Sequence, residues 1–544
     1  MFLDLIPRNS SAAVMLLIAD ITLNPPVATS ADESLKRPNV LVILADDLGY
    51  SDLGCYGSEI ETPNLDSLAA GGLRFTSFYN TARCWPTRAS LLTGYYPQQV
   101  HRDALPGVPG GGAPKFRRPG WAPLLPQMLK SAGYRSYYSG KWHIDGSPAD
   151  GGFDRSYELA DQGRFFRPKR HLEDGKELPP IKDGESYYST IAVADHAIKV
   201  LKDHAVGHPD KPFFQYVAFT APHFPLQALP EDIEKYTRKY VDGWENVRRQ
   251  RWERMRSLGL ATTGTLSLAE RQLGPPYAFP EDVAKLGPNE VILPVAWQEL
   301  HADQQAFQAS KMAIHAAMVD RMDREIGRIL GQLREMNAMD NTLVFFLSDN
   351  GASAEIMVRD DGHDPGAPMG SAATHLCLGP GWSTVSNTPF RRHKTWVHEG
   401  GISTPLIAHW PKGIASRGEY RSSPGHVIDL VPTILELAGL SREMVVGDEG
   451  PESPGVSLVR QFSQADSSES NRNLWWLHEG NRALRRGDWK IVAAKDQPWE
   501  LYNLATDRGE QNNLASSSAD RLLELRNEWQ RITDEFTALA KQSE

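Results

Sequence analysis

Four clusters of polar residues stand where apolar runs stop. The run NVLVILA, Asn39–Ala45, leads straight into Asp46 and Asp47, and TLVFFLS, Thr342–Ser348, leads into Asp349, Asn350 and Gly351. Two further runs end in Lys141-Trp142-His143 and in Pro222-His223. Three carboxylates and one amide oxygen are hard donors, the kind that suit Ca²⁺ or Mg²⁺ better than zinc. Each pair alone also has an ordinary structural reading, because acidic residues after strands cap helices and Ser-Asp-Asn-Gly makes a turn. Their recurrence at matching strand ends favours a metal centre. Lys141, His143, His223 and Lys394 add two cations and two proton carriers. Fixed positive charge stabilises developing charge on an oxyanion ester, and a histidine can protonate a leaving alkoxide near neutral pH.

Positioning these groups requires a sheet whose strands end together. Besides the two runs above, 136–139 and 213–220 (FFQYVAFT) have the apolar, β-branched and aromatic character of buried strands, whereas 64–70, 124–132, 189–203 and 311–336 carry helical spacing. Such alternation predicts an α/β fold with a large, mostly parallel sheet sandwiched by helices. Ligands of such sheets bind beyond the carboxyl ends of the strands, where the polar clusters fall. Segment 244–260, rich in Arg and Glu, reads as an exposed helix with a solvated face. The Gly- and Pro-rich stretches 106–123 and 362–389 read as functional loops that shape a pocket. Beyond 455 the pattern changes. Short strand-like pieces over 474–504, with turns at Glu479-Gly480 and Arg486-Gly487-Asp488, and a helix over 520–541 predict a smaller C-terminal α+β domain, 456–544, containing an antiparallel sheet.

Composition narrows the partners. A formal net charge of −10 over 544 residues disfavours nucleic acid, whose phosphates need a basic stripe. Three cysteines, Cys55, Cys84 and Cys377, allow one disulfide at most and show no zinc spacing. Arg8, the apolar run 12–19 and small residues near 28–31 read as a signal peptide over 1–31, which implies a periplasmic or secreted protein. A buried N-terminal helix in a cytoplasmic protein is the competing reading. No later stretch has the apolar length of a membrane span.

Cys84-Trp85-Pro86-Thr87-Arg88, followed by Ala89-Ser90-Leu91-Leu92-Thr93-Gly94, resembles the sulfatase signature C-x-P-x-R…TG. The resemblance runs from about 37 to 514 and includes NVLVILADDLGYSDLGCYG, AGYRSYYSGKWH, FTAPHFPLQA, LSDNG, NTPFRRHKTWVHEGGISTPLIAHWPKG and WELYNLATDRGEQNNLA. It is nearest the bacterial arylsulfatase type of the formylglycine-dependent sulfatases, within the alkaline phosphatase-like superfamily. What it implies is a catalytic domain over 37–455 that hydrolyses aryl or carbohydrate sulfate monoesters. Cys84 would be oxidised by a formylglycine-generating enzyme to 3-oxoalanine, whose hydrate offers two geminal hydroxyls. Asp46, Asp47, Asp349 and Asn350 would bind one Ca²⁺ together with the modified Cys84. By the same resemblance, Arg88 would steady the hydrate and Lys141 and Lys394 would hold sulfate oxygens. His223 would protonate the departing alcohol, and with sulfate on one hydroxyl, His143 would deprotonate the other. Trp85 departs from the frequent serine, and Ile144-Asp145-Gly146 from the frequent Leu-Gly. His393 and His398, flanking Lys394, are candidate pocket residues.

Three other readings compete. A phosphonate monoester or phosphodiester hydrolase would share the machinery and change the substrate. A two-zinc phosphatase would need a Ser or Thr nucleophile and further His/Asp ligands. A non-catalytic binder of sulfated glycans would lack some of the residues present here.

Overall fold

A computed structural model describes residues 37–112, 116–260, 266, 267, 269–447, 450–464 and 471–542. The expected signal peptide, 1–31, lies outside them. The main sheet has eleven strands: β1 (Asn39–Ala45), β2 (Leu73–Tyr79), β3 (Arg135–Gly140), β4 (Arg155–Glu158), β5 (Leu172–Glu173), β6 (Lys176–Glu177), β7 (Phe213–Ala218), β8 (Thr342–Ser348), β9 (Ser403–His409), β10 (Glu419–Arg421) and β11 (Gly425–His426). They lie in the order β10-β2-β9-β8-β1-β7-β3-β4-β5-β6, with β11 also paired to β2. The centre is parallel, β1 pairing with β7 and β8, and β3 with β7 and β4. β9 runs antiparallel to both β2 and β8, as do β5 and β6 to their neighbours. The expected large, mostly parallel sheet is therefore present.

β1 shows why the chain folds this way. Leu41, Ile43 and Ala45 enter one core, while Val40, Val42 and Leu44 enter another on the opposite face. Burial on both faces is what a central parallel strand requires. The principal helices are α1 (Cys84–Thr93), α2 (Ser189–Gly207), α3 (Trp244–Ser257), α4 (Ala302–Glu335), α5 (Leu430–Leu437) and α6 (Ala519–Gln542). Val193 of α2 and Met312 and Ile326 of α4 join the first core. Leu91 of α1 and Ile434 of α5 join the second, and each such side chain contributes about 1.5–3 kcal/mol by leaving water.

Two helices differ from expectation. α4 starts at Ala302, not near 311: its first turns are mostly polar and only partly buried, and His301 and Gln304 cap them reciprocally. α3 is not simply a solvated helix. Trp244, Val247, Arg251 and Met255 are buried, and Arg251 pairs with Asp52 at 2.6 Å and Glu59 at 2.8 Å. Its charges answer to other segments, which composition alone does not reveal.

The second sheet is antiparallel, in the order β12 (Asn473–His478), β13 (Asn481–Arg486), β14 (Trp489–Ala493) and β15 (Glu500–Asn503). Glu479 and Gly480, both at positive φ, form the two-residue turn between the first two strands. α6 lays Leu525, Trp529 and Phe536 against Trp475, Leu484 and Ile491. Cys55, Cys84 and Cys377 are all buried and free. Among the described residues no helix is long and apolar enough to cross a membrane.

Candidate active site

β8, β1, β7 and β3 are consecutive parallel strands, so their carboxyl ends share one edge of the sheet. Asp46 and Asp47 leave β1, Asp349 and Asn350 leave β8, Lys141 and His143 leave β3, and His223 follows β7. Asp47 and His143 turn out of their strands at positive φ. Gly351 has no room for a side chain, since a Cβ there would lie 1.9 Å from the Gly400 carbonyl oxygen. That close approach lets the Asp349-Asn350 turn pack beneath the site.

α1 presents Cys84 at its first turn. Asn80 Oδ1 accepts from Ala82 N, Thr87 Oγ1 accepts from Thr81 N, and Gly94 closes the far end in the left-handed region. The helix dipole favours an anion at Cys84. Arg88, one turn on, projects along the same face. Its Nε and Nη2 donate to Asp349 Oδ2 at 3.0 and 2.8 Å, Nη1 donates to the Lys141 carbonyl at 2.6 Å, and Nη2 lies 3.4 Å from Asp46 Oδ2. The loop carrying Lys394 is held by Lys394 N to Ala352 O and Thr395 N to Ala82 O.

The sequence-predicted residues are brought together. Asp46, Cys84, Lys141, His143, His223 and Lys394 line one cavity of about 370 Å³. Lys141 Nζ is 2.5 Å from Asp46 Oδ2, and Lys394 Nζ is 2.8 Å from Asp47 Oδ1. Asn350 Nδ2 donates to Asp47 Oδ1 at 2.6 Å, and Asp47 N donates to Asp349 Oδ1 at 3.3 Å. Asp349 and Asn350 sit fully buried behind the wall. His393 and His398 do not line the cavity: His393 bonds Ser383 Oγ at 2.9 Å, and His398 lies 3.4 Å from Glu500.

Electrostatics follow from burial among charges. Burial raises the Asp46 carboxyl, but Lys141, His223, Arg88 and Lys394 overcome that and hold it well below the carboxylate range. Burial and then the neighbouring Asp46 charge push Asp349 up, against the pull of Arg88. His143 is pushed well below an ordinary imidazole by burial and by Lys141 and Arg88. Burial takes His223 down to about 4, with Asp47 opposing.

A metal fits the donor set on two observations. Asp46 Oδ1 and Asn350 Oδ1 are buried oxygens without a hydrogen-bond partner, and both belong to the hard-donor group. Asp46, Asp47 and His223 also bring ligand atoms within 4.8 Å of one another. Oxygen donors of this kind match Ca²⁺.

Several lining residues escaped the sequence reading. Glu355 is buried, accepts from Arg83 Nη1 at 2.7 Å and lies 3.3 Å from Lys394 Nζ, so it links two cations to the cavity wall. Trp85 and His375 line the cavity with Nε1 and Nε2 unpartnered. The rim comes from 160–163 and 359–360, not chiefly from the loops 106–123 and 362–389. Apart from Trp85, which stands inside the Cys84–Arg88 signature and was noted there only as a departure from serine, none of these residues has periodicity or a motif that would have marked it.

The sulfatase family's sequence profile matches residues 38–440. An uncharacterized sulfatase of Schizosaccharomyces pombe is 31% identical over 91% of this chain and 93% of its own. The arylsulfatase of Klebsiella aerogenes is 32% identical over 74% of this chain and 87% of its own. The solved structure of Ps i-CgsB in complex with k-i-k-neocarrahexaose superposes with a TM-score of 0.62 at 24% identity, covering 91% of this chain and 93% of that one.

Proposed function

Because the chain belongs to the sulfatase family and is a sulfuric ester hydrolase, we propose that it cleaves aryl or carbohydrate sulfate monoesters at the cavity around Cys84, using formylglycine and one calcium ion. The observation that carries this reading is the single cavity shared by Cys84, Lys141, Lys394, His143 and His223, backed by four oxygen-bearing side chains. Asp46, Asp47, Asp349 and Asn350 would hold the calcium, with the modified Cys84 completing the set. Bound there, calcium would supply fixed positive charge beside a sulfate oxygen, and oxidised Cys84 would supply an aldehyde hydrate with two geminal hydroxyls.

The chain's own groups divide the remaining work. Lys141 and Lys394 offer ammonium protons to sulfate oxygens, so the ester is held before reaction. Arg88 fixes Asp349 and the first turns of α1 relative to each other through its planar fork. His143, neutral at pH 7, is suited to accept a proton. His223 is neutral in the free protein, and the negative charge of a bound ester beside it raises its affinity for the proton it passes to the leaving alkoxide. Cys84 is 3% exposed, so a formylglycine-generating enzyme has to reach it before the fold closes. Export through the segment 1–31, and a division into a catalytic part 37–455 and a C-terminal part 456–544, belong to the same proposal.

The test is turnover of 4-nitrophenyl sulfate, phosphate and phosphonate, read as released nitrophenol, and of sulfated sugars, read as released inorganic sulfate, by wild type and Cys84→Ala. Sulfate esters are expected to be the better substrates and Cys84→Ala inactive with its fold intact. Preference for phosphonate would transfer the assignment to that class, and full activity of Cys84→Ala would overturn it.

A further inference from the structure

We propose that the leaving-group side of the cavity selects sulfate esters whose alcohol half carries a second anionic group, and that Arg359 recognises it. This rests on the sulfatase reading and specifies its substrate class.

The argument comes from pairing the charges of the cavity wall. Lys141 is matched by Asp46, and Lys394 by Asp47 and Glu355. Arg83 is matched by Glu355 at 2.7 Å. The rim acids are also taken: Asp161 lies 2.6 Å from Arg164, Asp360 lies 3.8 Å from that same guanidinium, and Asp361 is shared by Arg164 and Lys169. Arg359 remains. It lines the cavity at its exposed mouth, and among the described residues its guanidinium has neither an ion pair nor a hydrogen bond, its one bond being from Gly362 N to its carbonyl. Arg359 is therefore the one cation or carboxylate lining the cavity whose side chain meets no opposite charge among the described residues.

Its position is defined despite that exposure. The Arg359 guanidinium stands 5.4 Å from the centre of the Phe224 ring, and Lys394 Nζ stands 5.7 Å from the same centre. The cation at the sulfate end and the cation at the mouth are thus separated by no more than their contacts with one aromatic ring, about the reach of a monosaccharide. Arg stacked on an aromatic face keeps its fork edge free, the geometry that receives a carboxylate or sulfate bidentately. The half-buried Trp85 also lines the cavity and supplies ring surface suited to a sugar. A neutral aryl sulfate would use the sulfate-holding groups and leave Arg359 idle.

The test compares kcat and KM of the mature enzyme on three esters: a neutral aryl sulfate, a sulfated sugar that also bears a carboxylate, and a disulfated sugar. Wild type, Arg359→Ala and Arg359→Lys are measured at low and high salt. The expected result is a loss of about tenfold or more in kcat/KM for Arg359→Ala on at least one dianionic ester, carried mainly by KM, with the neutral ester changed less than about twofold. Arg359→Lys should recover part of the loss, and added salt should shrink the wild-type advantage. Which sugar responds tells carboxylate from sulfate. Equal effects on all three esters, or none, would overturn the inference while leaving the sulfatase reading standing. Failure of wild type to release sulfate from any ester would instead overturn that reading, and the inference with it.

Discussion

Arg88 Nη2 and Asp349 Oδ2 lie 2.8 Å apart with neither side chain exposed, tying α1 to the end of β8 across 261 residues of chain. Two donors of the guanidinium meet one carboxylate oxygen, and a third reaches the Lys141 carbonyl. An ammonium cannot make this set of bonds. Arg88→Lys is therefore expected to cut kcat at least about a hundredfold, since misplaced reacting groups cost that much. Arg88→Ala should also cost about 3–5 kcal/mol of stability, because it leaves Asp349 buried without its partner. Steady-state kinetics and urea denaturation of the two variants measure the two effects separately.

Calcium should stabilise the folded chain measurably. The partnerless oxygens of Asp46 and Asn350 gain a partner when a cation enters, and a ligand present at 100 times its Kd adds about 2.7 kcal/mol. Thermal unfolding with CaCl₂ against EDTA is expected to show a higher midpoint with calcium. Asp46→Asn should lose most of that shift, because a charged donor becomes a neutral one. An identical shift in the variant would remove Asp46 from the ligand set.

Much of this centre could be read from residue order. Asp46, Asp47, Asp349 and Asn350 directly follow the runs NVLVILA and TLVFFLS, whose inner residues are all apolar and buried, the character of central strands. Cys84 and Arg88 stand out through the spacing of their motif. Glu355, His375 and Arg359 gave no comparable signal, because they lie in aperiodic loops and meet groups of other segments, Arg83 for Glu355 and the Phe224 ring for His375 and Arg359. Arg251 misled for the opposite reason: an Arg-rich helix looks solvated until Asp52 and Glu59 arrive from the β1 side to neutralise it.

Stability should fall as the solution is acidified below pH 6.5. His196, His393 and His426 are buried, and burial lowers the first two to about 4 and the third to about 3. An unfolded imidazole takes up its proton near 6.5, so below that pH the unfolded chain binds protons that the folded one refuses. The stabilisation is complete above 6.5 and is lost progressively toward 4. Each imidazole contributes a loss of about 2 kcal/mol between pH 7 and pH 5. Urea midpoints at the two pH values check the direction, and His393→Gln should flatten the difference by removing one titration. A midpoint that rises on acidification would contradict this.

The central claim is that the reacting group at residue 84 is an aldehyde hydrate and not a thiol. Intact-peptide mass spectrometry of residue 84, on enzyme preparations of differing specific activity, tests it most directly. The expected result is a peptide in which CH₂–SH has been replaced by CH=O, in a fraction that rises in proportion to sulfate released per molecule. A preparation at full activity whose residue 84 is entirely unmodified cysteine would contradict it.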